Sequence, residues 1–164
     1  MMKSRNLFIF LLIFCFTILQ STVLNYLQIF ATQPDLLLIL IIFCSLTFGK
    51  IYGLTTGAIS GIFAEVSSGF SSGILVFTYA LGGLILGYIG RWVELQKTLG
   101  QVIVSFIFTF LIYLFIFLLL KIGTGALELS LFNALRFTLL PAAAYTAILT
   151  PIMFKFLKII LGTK

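Results

Sequence analysis

The chain reads as six apolar runs separated by short polar clusters. The spacing predicts helices over about 7–27, 35–49, 51–66, 73–91, 101–121 and 131–158, with residues 1–164 forming a single membrane domain. Lys3 and Arg5 precede the first run, which starts like a signal peptide. No small-x-small cleavage site follows it closely and more runs come after, so an uncleaved first helix is expected. Pro34 and Asp35 introduce the second run. Both suit the first turn of a helix, where N–H groups are unpaired and the dipole favours negative charge. Gly49-Lys50 ends the second run, and SSGFSS (67–72) separates the third from the fourth. Runs two and three hold only about 13 to 16 residues, below the roughly 20 that an average bilayer requires. A tight helical hairpin is the expectation for this pair, and a re-entrant or interfacial arrangement is the alternative.

Composition turns this pattern into a fold class. Of the 164 residues, 62% are hydrophobic and 9% charged. A soluble domain is usually near half apolar and a quarter charged, so this chain cannot cover a water-facing surface. Lipid is the solvent that fits, and an all-α polytopic membrane protein with six transmembrane helices follows.

The net charge of +6 does not point to nucleic acid, because the basic residues stand singly at the ends of apolar runs. That is the pattern of topology signals. With the N-terminus inside, Lys3, Arg5, Lys50, Arg91, Lys97, Lys155, Lys158 and Lys164 are cytoplasmic, and only Lys121 and Arg136 fall outside. The bias places both termini in the cytoplasm.

Candidate chemistry is sparse. Thr17, Gln20, Ser21, Asn25 and Gln28 recur at steps of three and four, making one polar face in the outer half of the first helix. Such a face serves as hydrogen-bonding glue between helices, as the wall of a wet cavity, or as a docking face for another protein's helix; a mixture is expected. Gly53, Gly57 and Gly61 form two overlapping GxxxG steps, and Gly83, Gly87 and Gly90 share a face of the fourth helix with Gly82 beside it. Glycine lets backbones approach closely in lipid, so mutual packing of these two faces is expected, with a partner's helix as the alternative. Glu65 lies at the outer end of the third helix and Arg136 one turn into the sixth; an ion pair between them, or contact of either with a partner, is expected. Pro141 and Pro151 are expected to kink the sixth helix. The fifth helix, almost all Phe, Leu, Ile and Val, suits contact with lipid. Cys15 and Cys44 sit in apolar runs without CxxC spacing and read as packing residues.

No histidine is present, and no pair of carboxylates, no nucleophile with a base and no GxxxxGK[ST] loop can be found. The run boundaries place no acid in mid-bilayer to act as a proton relay. No catalytic role, metal or cofactor is expected.

Three stretches carry a resemblance. They are LQSTVL (Leu19–Leu24) at the end of the first helix, PDLLLIL (Pro34–Leu40) at the start of the second, and GLTTGAISGIFAEVSSGFSSG (Gly53–Gly73). With the length and the six-run count, the chain resembles the rod-shape-determining protein MreD family over nearly its whole extent. It departs from the family's usual aspartate at the acidic position of the third helix, where Glu65 keeps the charge. The resemblance implies a non-enzymatic scaffold subunit of the elongasome in the bacterial inner membrane. The implied partners are MreC most directly, then MreB, RodA and a penicillin-binding transpeptidase in the wider complex. The implied fold is similar to the substrate-binding subunits of energy-coupling-factor transporters. The partner surface is expected around Gln20, Asn25, Pro34, Asp35 and Glu65.

A vitamin-binding subunit of an energy-coupling-factor transporter is the competing reading, since size and topology suit both. Such subunits commonly carry an AxxxA face on the first helix, whereas no alanine occurs here between Leu7 and Phe30. The scaffold is therefore preferred.

Overall fold

The computed structural model describes residues 2–26, 32–69, 72–90, 98–124 and 135–162. Among these residues the protein is all-helical, with six α-helices and no strand. They are α1 (Met2–Tyr26), α2 (Leu36–Phe48), α3 (Lys50–Ser68), α4 (Ile74–Ile89), α5 (Thr98–Thr124) and α6 (Leu140–Leu161). A π-helical turn, Leu135–Leu139, leads into α6. Pro141 explains that turn. It has no N–H to offer the carbonyl of Phe137, and the wider turn accommodates the gap. Pro141 thus falls in the first turn of α6 and only Pro151 lies inside the helix, which corrects the expectation of two equivalent kinks.

α2 is the centre of the molecule. Every residue from Leu36 to Ser45 is buried, and the helix touches α1, α3, α4, α5 and α6. A helix that is apolar all round is one that is enclosed, and this is why LLLILIIFCS shows no polar stripe. Its 13 residues rise only about 20 Å, short of the roughly 30 Å of a hydrocarbon core. The short second run is thus a core helix wrapped by its neighbours. α5 and α6, by contrast, are long and apolar enough to cross a membrane by length and composition. Their outward faces, with Ile103, Ile107 and Leu111 on α5 and Ile148 and Ile152 on α6, are exposed.

Neighbouring helices alternate in direction. Asp35 meets Thr146 and the ring of Phe43 meets Phe154 at 5.2 Å, so α2 and α6 run parallel. α3 and α4 are antiparallel and interlock through glycine. A Cβ on Gly53 would strike the Gly83 carbonyl, one on Gly57 the Tyr79 carbonyl, and one on Gly61 the Val76 backbone at 2.5 Å. Gly83 and Gly87 return the contact, against the Gly53 carbonyl and the Lys50 backbone. Gly90 instead faces Leu46 of α2, and Gly82 faces Ile112 and Phe108 of α5. A single residue, Gly49, turns α2 into α3 with φ of 90°. Its N–H donates to the Ser45 carbonyl and its own carbonyl accepts from Gly53 N–H.

α5 is less uniform than its apolar composition suggests. Gln101, Ser105 and Thr109 are buried, and α6, the main neighbour of α5, buries Ala143, Thr146, Ala147 and Thr150. The sequence reading of α5 as a lipid-facing helix holds for its outer face only. Small and hydroxylated side chains let α5 and α6 approach closely. Cys44 is buried and Cys15 is exposed, and the two are not joined by a disulfide; the packing role assigned to Cys15 is therefore corrected.

Candidate functional site

Asp35 ends an irregular segment, Thr32–Asp35, that enters the bundle and delivers the chain to α2. Pro34 is buried in this segment, directly before Asp35. Asp35 is the N-cap of α2, accepting from Leu38 N–H through Oδ1 at 3.0 Å. Its other oxygen, Oδ2, accepts from the hydroxyls of Tyr79 at 2.6 Å and Tyr113 at 3.0 Å. Its own N–H donates to Thr146 Oγ1 at 3.1 Å. One residue, 2% exposed, therefore ties α2 to α4, α5 and α6. The carboxyl oxygens accept all three of these bonds, two from phenols and one from a backbone N–H.

Asp35, at the start of the second run, lies inside the bundle. Tyr113 stands eleven residues before the end of α5, about 16 Å inside it at 1.5 Å per residue. The second run was expected to begin at the surface; it begins inside the molecule. The tolerated place for irregular backbone at such depth is a protein interior or a wet cavity.

A cavity of about 340 Å³ opens beside Asp35. Thr17, Gln20 and Ser21 of α1, Gln33, Ser67 and Ser68 of α3, Tyr79 and Tyr113 form its polar wall. The polar face of α1 thus borders a cavity. Thr17 and Ser21 return their hydroxyls to their own helix, donating to the Ile13 and Ile18 carbonyls. Gln20 and Gln33 do not close their hydrogen bonds: the Oε1 of each is buried without a partner. A second cavity, about 290 Å³, shares Gln33 and Tyr113 and lies against Thr138, Leu139 and Ala142.

Glu65 is 8% exposed and serves the next helix. Its Oε2 accepts from Gly73 N–H at 3.1 Å and its Oε1 from Leu75 N–H at 2.8 Å. A carboxylate eight residues upstream thereby satisfies the orphan donors at the start of α4, where the helix dipole favours negative charge. Gly69 and Gly73, both with φ near 70°, turn the chain back so that these donors reach it. Arg136 is exposed on the π-helical turn, which packs on α5 and α6, whereas α3 packs on α4, α2 and α1. The expected Glu65–Arg136 ion pair is replaced by this cap.

The structure thus gathers Gln20, Pro34, Asp35 and Glu65 around one region. It places Gly53, Gly57 and Gly61 in the α3–α4 seam and leaves Arg136 apart. Asn25 belongs to α1, but its side chain lies outside the described residues, as does Gln28. Sequence reasoning missed Tyr79, Tyr113 and Thr146. The two tyrosines carried a signal, because a tyrosine in an apolar helix needs a partner for its hydroxyl. No group of three or more His, Cys, Asp or Glu side chains comes together among the described residues. The arrangement can hold a ligand by hydrogen bonds; it presents no nucleophile beside a base.

Comparison with known proteins gives one family. The model of the family described as rod shape-determining protein MreD matches residues 1–160. Neither the curated proteins nor the solved structures give a match. A match over nearly the whole chain decides the matter, and the chain belongs to the MreD family of rod shape-determining proteins.

Proposed function

We propose that this protein is a non-enzymatic membrane scaffold of the cell-elongation machinery. It crosses the bacterial inner membrane six times with both termini in the cytoplasm, and it binds MreC. MreB, RodA and a penicillin-binding transpeptidase belong to the wider assembly, which organises side-wall peptidoglycan synthesis. The observation that carries the reading is the family match over residues 1–160. The alternating helix directions and the exposed apolar faces of α1, α4, α5 and α6 support a multi-pass arrangement. So does the concentration of basic residues at one end of the runs. In this reading the bundle is built like the substrate-binding subunits of energy-coupling-factor transporters, without their transport role.

The proposed partner surface is the outer half of the first three helices around Gln20 and Asn25, with Asp35 and Glu65 buried beneath it. It supplies polarity that internal packing leaves open at Gln20. The test is affinity purification of the tagged chain from membranes in mild detergent, followed by mass spectrometry. Co-purification of MreC with the cell-wall synthases is expected. Recovery of paired ATPase subunits in their place would overturn the scaffold reading in favour of a vitamin transporter.

A further inference from the structure

We infer that the cavity beside Asp35 is a recognition site for an organic cation bearing N–H donors, a guanidinium or primary ammonium group. The inference rests on charge first. The carboxyl of Asp35 is held by two phenols and one backbone N–H, all neutral. Glu65, whose partner Leu75 also lines the cavity, is held by two backbone N–H groups. Among the described residues no lysine or arginine lines the cavity. In the sequence, the segments between α1 and α2 and between α3 and α4 carry no basic residue either. A carboxylate enclosed without a counter-charge gains from a cation more than an exposed one does, because the surroundings screen the attraction less.

The acceptor count points the same way. A carboxylate offers about four lone-pair sites. Asp35 uses three, which leaves one on Oδ1. Gln20 Oε1 and Gln33 Oε1 are buried acceptors without partners, and a buried acceptor left unpaired costs about 1–3 kcal/mol. The wall thus has surplus acceptors, one carboxylate and no cation. It suits a multidentate donor and repels phosphate or a carboxylate. The volume of about 340 Å³ equals roughly eleven waters at about 30 Å³ each, room for a guanidinium on an alkyl stem. Such a group can arrive on a free organic cation or on a basic side chain of the partner proposed above. That second source rests on the scaffold reading; the site itself does not.

The experiment uses the purified full chain in a neutral detergent with saturation-transfer NMR. The probes are methylguanidinium, ethylammonium and, as a cation without donors, tetramethylammonium. The first two are expected to bind and the third to bind at least about tenfold more weakly, the factor for losing one good hydrogen bond. Gln20→Leu with Gln33→Leu keeps the side-chain bulk and is expected to weaken methylguanidinium by about tenfold. Asp35→Asn should abolish binding, and the glutamine pair keeps the test decisive if that variant fails to fold. Equal behaviour of the three probes, or binding indifferent to the glutamine pair, would overturn the site. Purification of MreC with the glutamine variant separates the sources. Loss of MreC assigns the donor to the partner, and retention of MreC with loss of methylguanidinium assigns it to a free cation. Failure of the wild-type chain to recover MreC counts against the scaffold reading alone.

Discussion

The hydroxyl of Tyr79 donates a 2.6 Å hydrogen bond to Oδ2 of Asp35, 44 positions earlier in the chain. The same oxygen accepts from Tyr113 at 3.0 Å, so two helices depend on a single atom of the residue that caps a third. Tyr79→Phe is expected to destabilise the protein by about 1.5–3 kcal/mol, the range for a hydrogen bond to a charged group. Tyr113→Phe should cost less, since its bond is longer and its side chain only half-buried. The double variant should cost more than the sum, because in each single variant the surviving phenol can shorten its bond to the shared oxygen, and the double leaves that oxygen without either donor. Thermal unfolding of the four proteins in one detergent checks this, and strict additivity would refute the shared-acceptor account.

Glu65 gives a graded series. Glu65→Ala removes both bonds to the start of α4 and is expected to cost about 1–3 kcal/mol. Glu65→Gln keeps one acceptor oxygen and should fall between alanine and wild type. If Glu65 chiefly meets a partner, complex assembly will suffer in both variants while the isolated protein melts normally.

The α3–α4 seam separates close approach from conformational need. Gly57→Ala sets a methyl against the Tyr79 backbone, which cannot rotate away, and is expected to cost about 1–3 kcal/mol or more. Gly69→Ala meets nothing within 4 Å and pays only for its positive φ, about 1–2 kcal/mol. The two should also differ in kind. A cysteine pair bridging α3 and α4 should lose its cross-linking efficiency in Gly57→Ala and keep it in Gly69→Ala.

Ser105 and Thr109 on α5 are wholly buried with unpartnered hydroxyls. Ser105→Ala and Thr109→Val remove a polar group that gains nothing where it lies. Each is expected to leave stability unchanged or raise it by up to about 1 kcal/mol. A loss above about 2 kcal/mol would mean that the hydroxyls have partners in the working protein.

Orientation is open to labelling. In a variant with Cys15 and Cys44 replaced, a cysteine at Lys50 should react with an impermeant maleimide only after the membrane is opened. One at Ser72 should react in intact cells. Both positions are exposed, so reversed labelling would reverse the topology.

Much of this architecture was legible in the residues. The glycine steps named their own seam, since Gly53, Gly57 and Gly61 find α4 at the spacing the sequence displays. The polar face on α1 marked the cavity wall. What escaped was depth. Run length alone cannot say whether Asp35 begins a helix at the surface or inside, because that depends on the long helices on either side. The α5 stripe escaped for a related reason: Gln101, Ser105, Thr109 and Tyr113 recur every four residues, but bulky apolar neighbours on three other faces outweigh them in any averaged reading. Glu65 was correctly singled out as an acid of unusual placement, yet its partners are backbone N–H groups, which no side-chain pattern reveals.

The enclosure of α2 has a consequence for biogenesis. A segment about 20 Å long has no stable resting place of its own in a bilayer, and its cap is completed by Tyr79, Tyr113 and Thr146. The ribosome makes all three of these residues after α2, and Thr146 only once α5 has been synthesised. α2 must therefore wait, paired with α3, until α6 emerges. A part of the core that is made early is thus the last to reach its final surroundings.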